Sequence, residues 1–99
     1  MKILAIEKNT PAIQDQELSP ILLKEEARSV WSYHRSGKIR EVYFRADRRA
    51  AVLILECVSV DEAKALLSSL PLVRAGSIEF ELIPLTAYSG FERLFAEEA

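Results

Sequence analysis

The feature that most constrains this chain is an uninterrupted apolar run in the middle of the sequence. Residues 50–57 read Ala-Ala-Val-Leu-Ile-Leu-Glu-Cys and follow the charged segment 47–49. A strand with one solvated face alternates apolar and polar residues, whereas a continuous apolar run is typical of a strand covered on both faces. One layer of helices covers only one face of a sheet. The run therefore predicts a central strand with a second covering layer on its other face.

The size and charge of the chain restrict its function. A length of 99 residues indicates one domain, 1–99, and a net charge of −2 makes nucleic acid an unexpected partner. The single cysteine, Cys57, excludes an internal disulfide and a cysteine-rich metal cage, and we expect it to pack inertly. No signal peptide and no apolar segment of about 18 residues is present, so we expect a cytoplasmic protein without membrane contact. We expect no cofactor and no metal.

Two helices are indicated by their caps and their apolar spacing. The pair Ser19-Pro20 and the stop at Gly37 predict a first helix over residues 20–36. The segment 59–62 (Ser-Val-Asp-Glu) is a capping box that starts a second helix, which Pro71 closes. The first helix carries an apolar stripe that we expect to lie on a sheet: Leu23, Ala27, Val30, Trp31 and His34.

Four strands complete the pattern. They are predicted over residues 2–8, 39–45, 50–57 and 77–85, and the turn 47–49, whose charges we expect to be solvated, joins the middle two as a hairpin. The order βαββαβ is typical of an α+β ferredoxin-like fold, a four-stranded antiparallel sheet with both helices on one face and the first and third strands central.

Alternation along the second strand assigns its side chains to the two faces of the sheet. Arg40, Val42 and Phe44 are expected to face the helices. The opposite set, which we expect on the uncovered face, is Ile39, Glu41, Tyr43 and Arg45.

The face of the sheet away from the helices is expected to be apolar. Its patch, on the order of a few hundred Å², is larger than a monomer usually exposes. Two sheets facing each other bury it, so we expect a homodimer through the sheet face. The alternative is a monomer in which the aromatic tail, residues 86–99, folds back over the patch. We expect the tail to dock on its own subunit or on a neighbour, because it carries four large apolar residues: Tyr88, Phe91, Leu94 and Phe95.

Short motifs from the end of the first helix onward resemble a known family. The motifs are 37–40 (Gly-Lys-Ile-Arg), 43–45 (Tyr-Phe-Arg), 58–63, Leu66, 70–72 (Leu-Pro-Leu), Glu79 and 84–85 (Pro-Leu). Together they are similar to the muconolactone isomerase family. The resemblance implies a dimeric α+β barrel, in which two ferredoxin-like sheets pack face to face and which can assemble into a higher oligomer. It also implies a cofactor-free proton shift in a small unsaturated lactone carboxylate. The tail departs from the ending of the true isomerases.

A proton shift requires a base and a group that holds the developing negative charge. Glu26 borders the apolar stripe, where partial burial favours a raised pKa, and His34 lies within the stripe. We predict both as catalytic residues. The alternatives are an ordinary boundary carboxylate for Glu26 and a capping or packing role for His34. Arg40 is predicted to anchor a substrate carboxylate.

Three further residues are predicted to bind substrate: Trp31, Tyr43 and Arg45. Tyr43 and Arg45 share the uncovered sheet face with Glu41, and the opposite edge strand carries Glu79 and Glu81. Across a dimer these charges either form salt bridges that fix the register or line a cavity.

Three functions fit these patterns. The first is binding of a small anionic organic molecule between sheet and helices, with cofactor-free isomerisation of a lactone or unsaturated carboxylate. The second is a cofactor-free monooxygenase of the same fold, for which Trp31, Tyr43 and His34 are the relevant groups. The third is a non-catalytic dimeric binding or assembly module. A pocket that gathers Glu26, His34 and Arg40 favours an enzyme, whereas a space filled by apolar side chains favours the module.

Overall fold

The chain follows the predicted order of strands and helices. The computed structural model describes residues 1–8 and 19–96; the predicted loop 9–18 and the tail positions 97–99 lie outside these ranges. The elements are β1 (Lys2–Glu7), α1 (Pro20–Ser36), β2 (Ile39–Phe44), β3 (Ala51–Glu56), α2 (Val60–Ser68), α3 (Pro71–Arg74) and β4 (Phe80–Pro84), followed by a 3-10 helix over Gly90–Leu94. The last strand is shorter than predicted, and the short α3 was not predicted.

Both long helices begin at the predicted serine caps. Ser19 Oγ accepts the Leu22 N–H at 3.1 Å, and Ser59 Oγ accepts the Glu62 N–H at 3.1 Å. Glu62 also reaches back past the cap and accepts the Val58 N–H at 2.9 Å, where an ideal capping box would use the Ser59 N–H. α1 ends at Gly37, whose φ of 83° is the left-handed conformation that glycine adopts without strain.

The sheet has the predicted ferredoxin-like topology. Its strand order is β2-β3-β1-β4, all neighbours are antiparallel, and β1 and β3 are central. The expectation that Ile39 lies on the uncovered face is wrong. A register shift between Ile39 and Glu41 reverses the alternation, so that Ile39 pairs with Leu55 and is 0% exposed in the core.

The core lies between α2 and the central strands. β1 and β3 contribute their alternate residues to it, and α2 covers them with Ala63, Leu66 and Leu67. Cys57 belongs to the same cluster, and burial raises the pKa of its thiol, as expected for an inert packing residue.

The opposite face of the sheet is apolar and partly exposed; we call it the open face. Cross-strand pairs join Leu4 to Ile54 and to Ile83, and Val52 to Ile6 and to Tyr43. Nothing among the described residues forms a second layer over these side chains. The 50–57 run is thus buried on one face and only partly shielded on the other.

The described part of the tail does not dock on its own chain. Its four large apolar residues are between 65% and 83% exposed. The radius of gyration is 16.7 Å, whereas a compact domain of this length has about 13 Å.

Among the described residues no helix has the length and apolar character needed to span a bilayer.

Candidate functional site

A cavity of about 580 Å³ lies between α1 and the sheet. α1 supplies one wall, β2 and β3 supply the floor, and residues around α3 and the start of β4 supply the far side. Most lining side chains are apolar or aromatic. The described lining residues are Glu7, Leu23, Glu26, Ala27, Val30, Trp31, His34, Val42, Phe44, Arg49, Ala51, Leu53, Leu70, Leu72, Ile78 and Phe80.

The cavity exists because α1 stands away from the central strands. None of the 17 residues of α1 is buried, although its apolar stripe faces the sheet as predicted. Val30 packs against the edge of the core, but Trp31 remains 60% exposed at the cavity mouth. The stripe therefore lines a cavity where we expected it to lie on the sheet.

Glu26 is the half-buried carboxylate of the cavity wall. Its Oε1 accepts the Leu72 N–H at 3.1 Å, which fixes the side chain against the start of α3. Burial raises the pKa of Glu26, the Leu72 hydrogen bond opposes that rise, and the negative charge of Glu7 adds to it. A carboxylate with a raised pKa is a stronger base than a solvated one.

His34 lies on the same wall, two helical turns from Glu26. Its Nδ1 is 2.9 Å from the carbonyl oxygen of Ile39. Because a carbonyl oxygen only accepts, Nδ1 is the donor in this contact, and Nε2 takes no part in it. His34 thus makes the carbonyl contact that was one of its predicted roles and still offers Nε2 for proton transfer. Its ring centroid lies 6.0 Å from that of Trp31.

Arg49 brings a positive charge to the cavity. Its guanidinium carbon lies 5.2 Å from the centroid of the Phe44 ring, and both residues line the cavity. Arg49 is exposed, as expected for the 47–49 turn, and its side chain also lines the cavity. The expectation that the charges of this turn are solvated is wrong for Arg48, which is partly buried and donates from Nη2 to the Glu7 carbonyl oxygen at 3.4 Å.

The predicted site residues fall into two groups. Glu26, Trp31 and His34 line the one cavity, whereas Arg40, Tyr43 and Arg45 do not contribute to its wall. The exposed Arg40 guanidinium lies beside Gly37 at the end of α1. Tyr43 donates to Glu41 Oε1 at 2.5 Å, and Arg45 forms a two-pronged pair with Asp47.

The sequence reading missed two charged residues of the cavity, Glu7 and Arg49, although alternation could have placed both. Glu7 is an even number of residues from the buried Ile3, and Arg49 is an even number of residues from the buried Leu53. Residues at even spacing lie on the same face of a strand. Extending each alternation by one step beyond the apolar run puts both residues on the helix-facing side. The Ala51 N–H in fact donates to Glu7 Oε1 at 3.3 Å.

The site combines apolar walls with a small set of polar groups, which is the usual composition of a small-molecule site. Glu26 and His34 can move protons, and Arg49 can hold an anion. Within the described residues, no group of three or more histidine, cysteine and acidic side chains is placed to hold a metal ion.

The fold, more than the sequence, is similar to that of a known enzyme. No protein-family model and no curated protein matches the chain. Among solved structures, it is similar to 5-chloro-2-hydroxyhydroquinone dehydrochlorinase from Burkholderia phenoliruptrix in complex with 2,5-dihydroxybenzoquinone. The TM-score is 0.59 at 18% identity, covering 91% of this chain and 98% of that chain. At this level of identity the likeness supports the shared fold alone and no particular family.

Proposed function

We propose that the cavity between α1 and the sheet binds a small anionic organic molecule and catalyses a cofactor-free proton shift in it. The isomerisation of a lactone or an unsaturated carboxylate, as in the muconolactone isomerase family, is the proposed reaction. One observation carries this proposal: two proton-transfer groups, Glu26 and His34, lie on one wall of an apolar cavity.

The cavity favours a planar ring with a negative charge. Its volume of about 580 Å³ falls in the usual range for small-molecule sites, and Trp31, Phe44 and Phe80 offer aromatic surfaces. Arg49, held over Phe44, is the cation that we propose as the anchor of the ligand's carboxylate or enolate. It takes the role that the sequence assigned to Arg40.

The spacing of the two proton-transfer groups limits the size of the ligand. Eight residues along one helix separate Glu26 from His34 by about 12 Å in the axial direction. A ligand that meets both groups is therefore a substituted ring, because a single carboxylate is too short. We propose that the Glu26 carboxylate removes a proton beside the carbonyl group and that His34, in its protonated form, gives the proton of Nε2 to the carbon at the opposite end of the conjugated system. Proton exchange with solvent then returns Glu26 to the carboxylate and His34 to the protonated ring.

We further propose that two copies pair through the open face. Leu4, Ile54 and Ile83 form a continuous apolar strip across three strands. Pairing buries this strip in the way that the 50–57 run requires. Sedimentation at micromolar concentration tests the pairing directly: a species of twice the 11.2 kDa chain mass is expected, and a monomer would refute it.

A ligand panel tests the site. Small lactones, unsaturated dicarboxylates and hydroxylated quinones, the last suggested by the ligand of the similar dehydrochlorinase, are screened by thermal shift. Each stabilising compound is then followed by NMR for deuterium uptake from solvent. We expect Glu26→Gln to keep the thermal shift but to slow deuterium uptake by about 10²–10⁴-fold, the usual contribution of a general base.

The matched control for that variant is Glu25→Gln, which removes a carboxylate from the exposed side of the same helix. Equal deuterium uptake by Glu26→Gln and wild type would refute the role of Glu26. Ligand-dependent oxygen consumption would instead support the monooxygenase alternative, and the absence of any stabilising compound at millimolar concentration would support the non-catalytic module.

A further inference from the structure

The 86–96 tail is an apolar unit without a partner in its own chain. Tyr88, Phe91, Leu94 and Phe95 are 71%, 65%, 74% and 83% exposed. So many large apolar groups in so short a segment mark an interaction site more often than a solvated end.

The tail nevertheless has a defined shape. Its 3-10 helix is closed by hydrogen bonds from the Glu92 N–H to the Ser89 carbonyl oxygen and from the Phe95 N–H to the Glu92 carbonyl oxygen, both 3.1 Å. The rings of Tyr88 and Phe91 meet edge to face at 5.0 Å. A Cβ atom at Gly90 would lie 2.1 Å from the Tyr88 ring, so only glycine permits this arrangement. The unit is therefore preorganised, which lowers the entropy cost of binding.

The cavity mouth is a second exposed apolar surface, and it is concave. Leu23, Trp31, Val42 and Phe44 surround the opening with exposures from 36% to 66%. Arg49 at this mouth and Glu92 in the tail form no ion pair with any other described residue, so their charges are complementary and available.

We propose that the 86–96 tail of one copy packs over the cavity mouth of a second copy, where Phe91 and Phe95 cover Trp31 and Phe44. The ligand cavity is then closed by the partner, and each site is incomplete in a single chain. This inference rests on the dimer proposed above, but it does not depend on the identity of the ligand or on catalysis.

The position of the tail in the chain agrees with its packing on a second copy. It follows β4, whose Ile83 belongs to the open face, and Leu85 continues the apolar surface with 41% exposure. Residues 86–89 can extend over about 13 Å at about 3.3 Å per residue, and the five residues of the 3-10 helix add about 10 Å at about 2 Å each, whereas packed sheets lie about 10 Å apart. The tail is therefore long enough to pass the edge of the partner's sheet and reach its helix side.

Trp31 is the sole tryptophan of the chain, and its fluorescence reports on the cavity mouth without any ligand. We expect Trp31 of the full chain to be shielded from acrylamide. In the double variant Phe91→Ser/Phe95→Ser the quenching constant should rise about twofold or more, because an interface residue loses most of its exposed area. Gly90→Ala, which keeps both rings but removes their arrangement, should give an intermediate rise. Val58→Ser, an 82% exposed position outside the tail and the cavity, is the control.

Mixed dimers separate exchange between copies from folding back within one chain. The Phe91→Ser/Phe95→Ser protein, which keeps Trp31, is refolded with an excess of Trp31→Phe protein, which keeps its tail. Restored shielding of Trp31 shows that the tail of the other copy covers it. Trp31 that stays exposed in mixed dimers, or a full chain that is monomeric or already freely quenched, would overturn the proposal. A failed ligand screen would leave these results unaffected.

Discussion

The two long helices of this chain are built alike at their ends but pack differently. α1 and α2 both begin at a serine that caps the third amide along, and both carry an apolar stripe. α2 buries Ala63, Leu66 and Leu67 against the central strands, whereas α1 buries none of its residues. An apolar stripe therefore identifies the face of a helix that turns toward the sheet, but it does not show that this face is packed.

The composition of the two stripes explains the difference. Ala63, which is 0% exposed, lets α2 approach the strands closely, and the leucines beside it have no polar atoms to satisfy. The stripe of α1 contains Trp31 and His34 and is bordered by Glu26. These side chains would lose hydration or exceed the available space in a close-packed layer. The half of the molecule under α2 supplies stability, and the half under α1 supplies the proposed site.

The largest expected effect is the difference between two leucine truncations. Leu67→Ala in α2 should lower the free energy of unfolding by about 2–5 kcal/mol, because it leaves a cavity in the core. Leu23→Ala in α1 should lower it by less than about 1 kcal/mol, because Leu23 already borders open space. Urea unfolding of both variants measures the difference, and similar losses would show that α1 is packed as tightly as α2.

Removal of the two serine caps should have smaller effects. One effect should extend over the whole domain, and the other should be confined to α1. Ser59→Ala should lower the free energy of global unfolding by about 1 kcal/mol. Ser19→Ala should instead speed amide hydrogen exchange within α1 and leave exchange in the core unchanged, because α1 can open locally. Hydrogen exchange read by mass spectrometry distinguishes the two patterns. If Ser19→Ala instead sped amide exchange equally in α1 and in the core, α1 would unfold only together with the core.

The smallest effect is the dependence of stability on the charge of Glu26. Burial raises the pKa of Glu26 in the folded state, so the folded chain holds this proton more tightly than the unfolded chain does. The free energy of unfolding should then fall as the pH rises from the ordinary carboxyl value near 4.5 through the raised value. Glu26→Gln should gain stability relative to wild type over that interval, with Glu25→Gln as the control for the lost charge. A constant difference between Glu26→Gln and wild type would contradict the effect of burial.

The sequence predicted the fold well because its determinants are local. Ser19, Gly37 and the 59–62 capping box mark helix ends within a few residues, and the 50–57 run marks a central strand. It misplaced Ile39 because a bulge at Arg40 reverses the alternation and leaves no mark in the pattern. Register shifts of this kind depend on pairing with a distant strand.

The site residues that share one helix were predicted, and those whose position depends on distant parts of the chain were not. The stripe of α1 identified Glu26, Trp31 and His34 because they share one helix face. The cation at Arg49 was missed because a charged turn is usually solvated, and its position depends on how the hairpin meets α1 across the cavity. The apolar residues of the tail were evident from the sequence, but what they contact depends on assembly.

The most direct test of the proposed site is calorimetric titration of the best ligand from the panel. Wild type should bind one ligand per chain. Arg49→Ala should weaken binding about tenfold or more, since a hydrogen bond to a charged group contributes about 1.5–3 kcal/mol. Arg40→Ala removes the anchor that was predicted from the sequence, and it should leave the affinity unchanged. Arg74→Ala is the control for the loss of a positive charge. A ligand whose affinity depends on Arg40 and not on Arg49, or no binding at all, would contradict a functional site under α1.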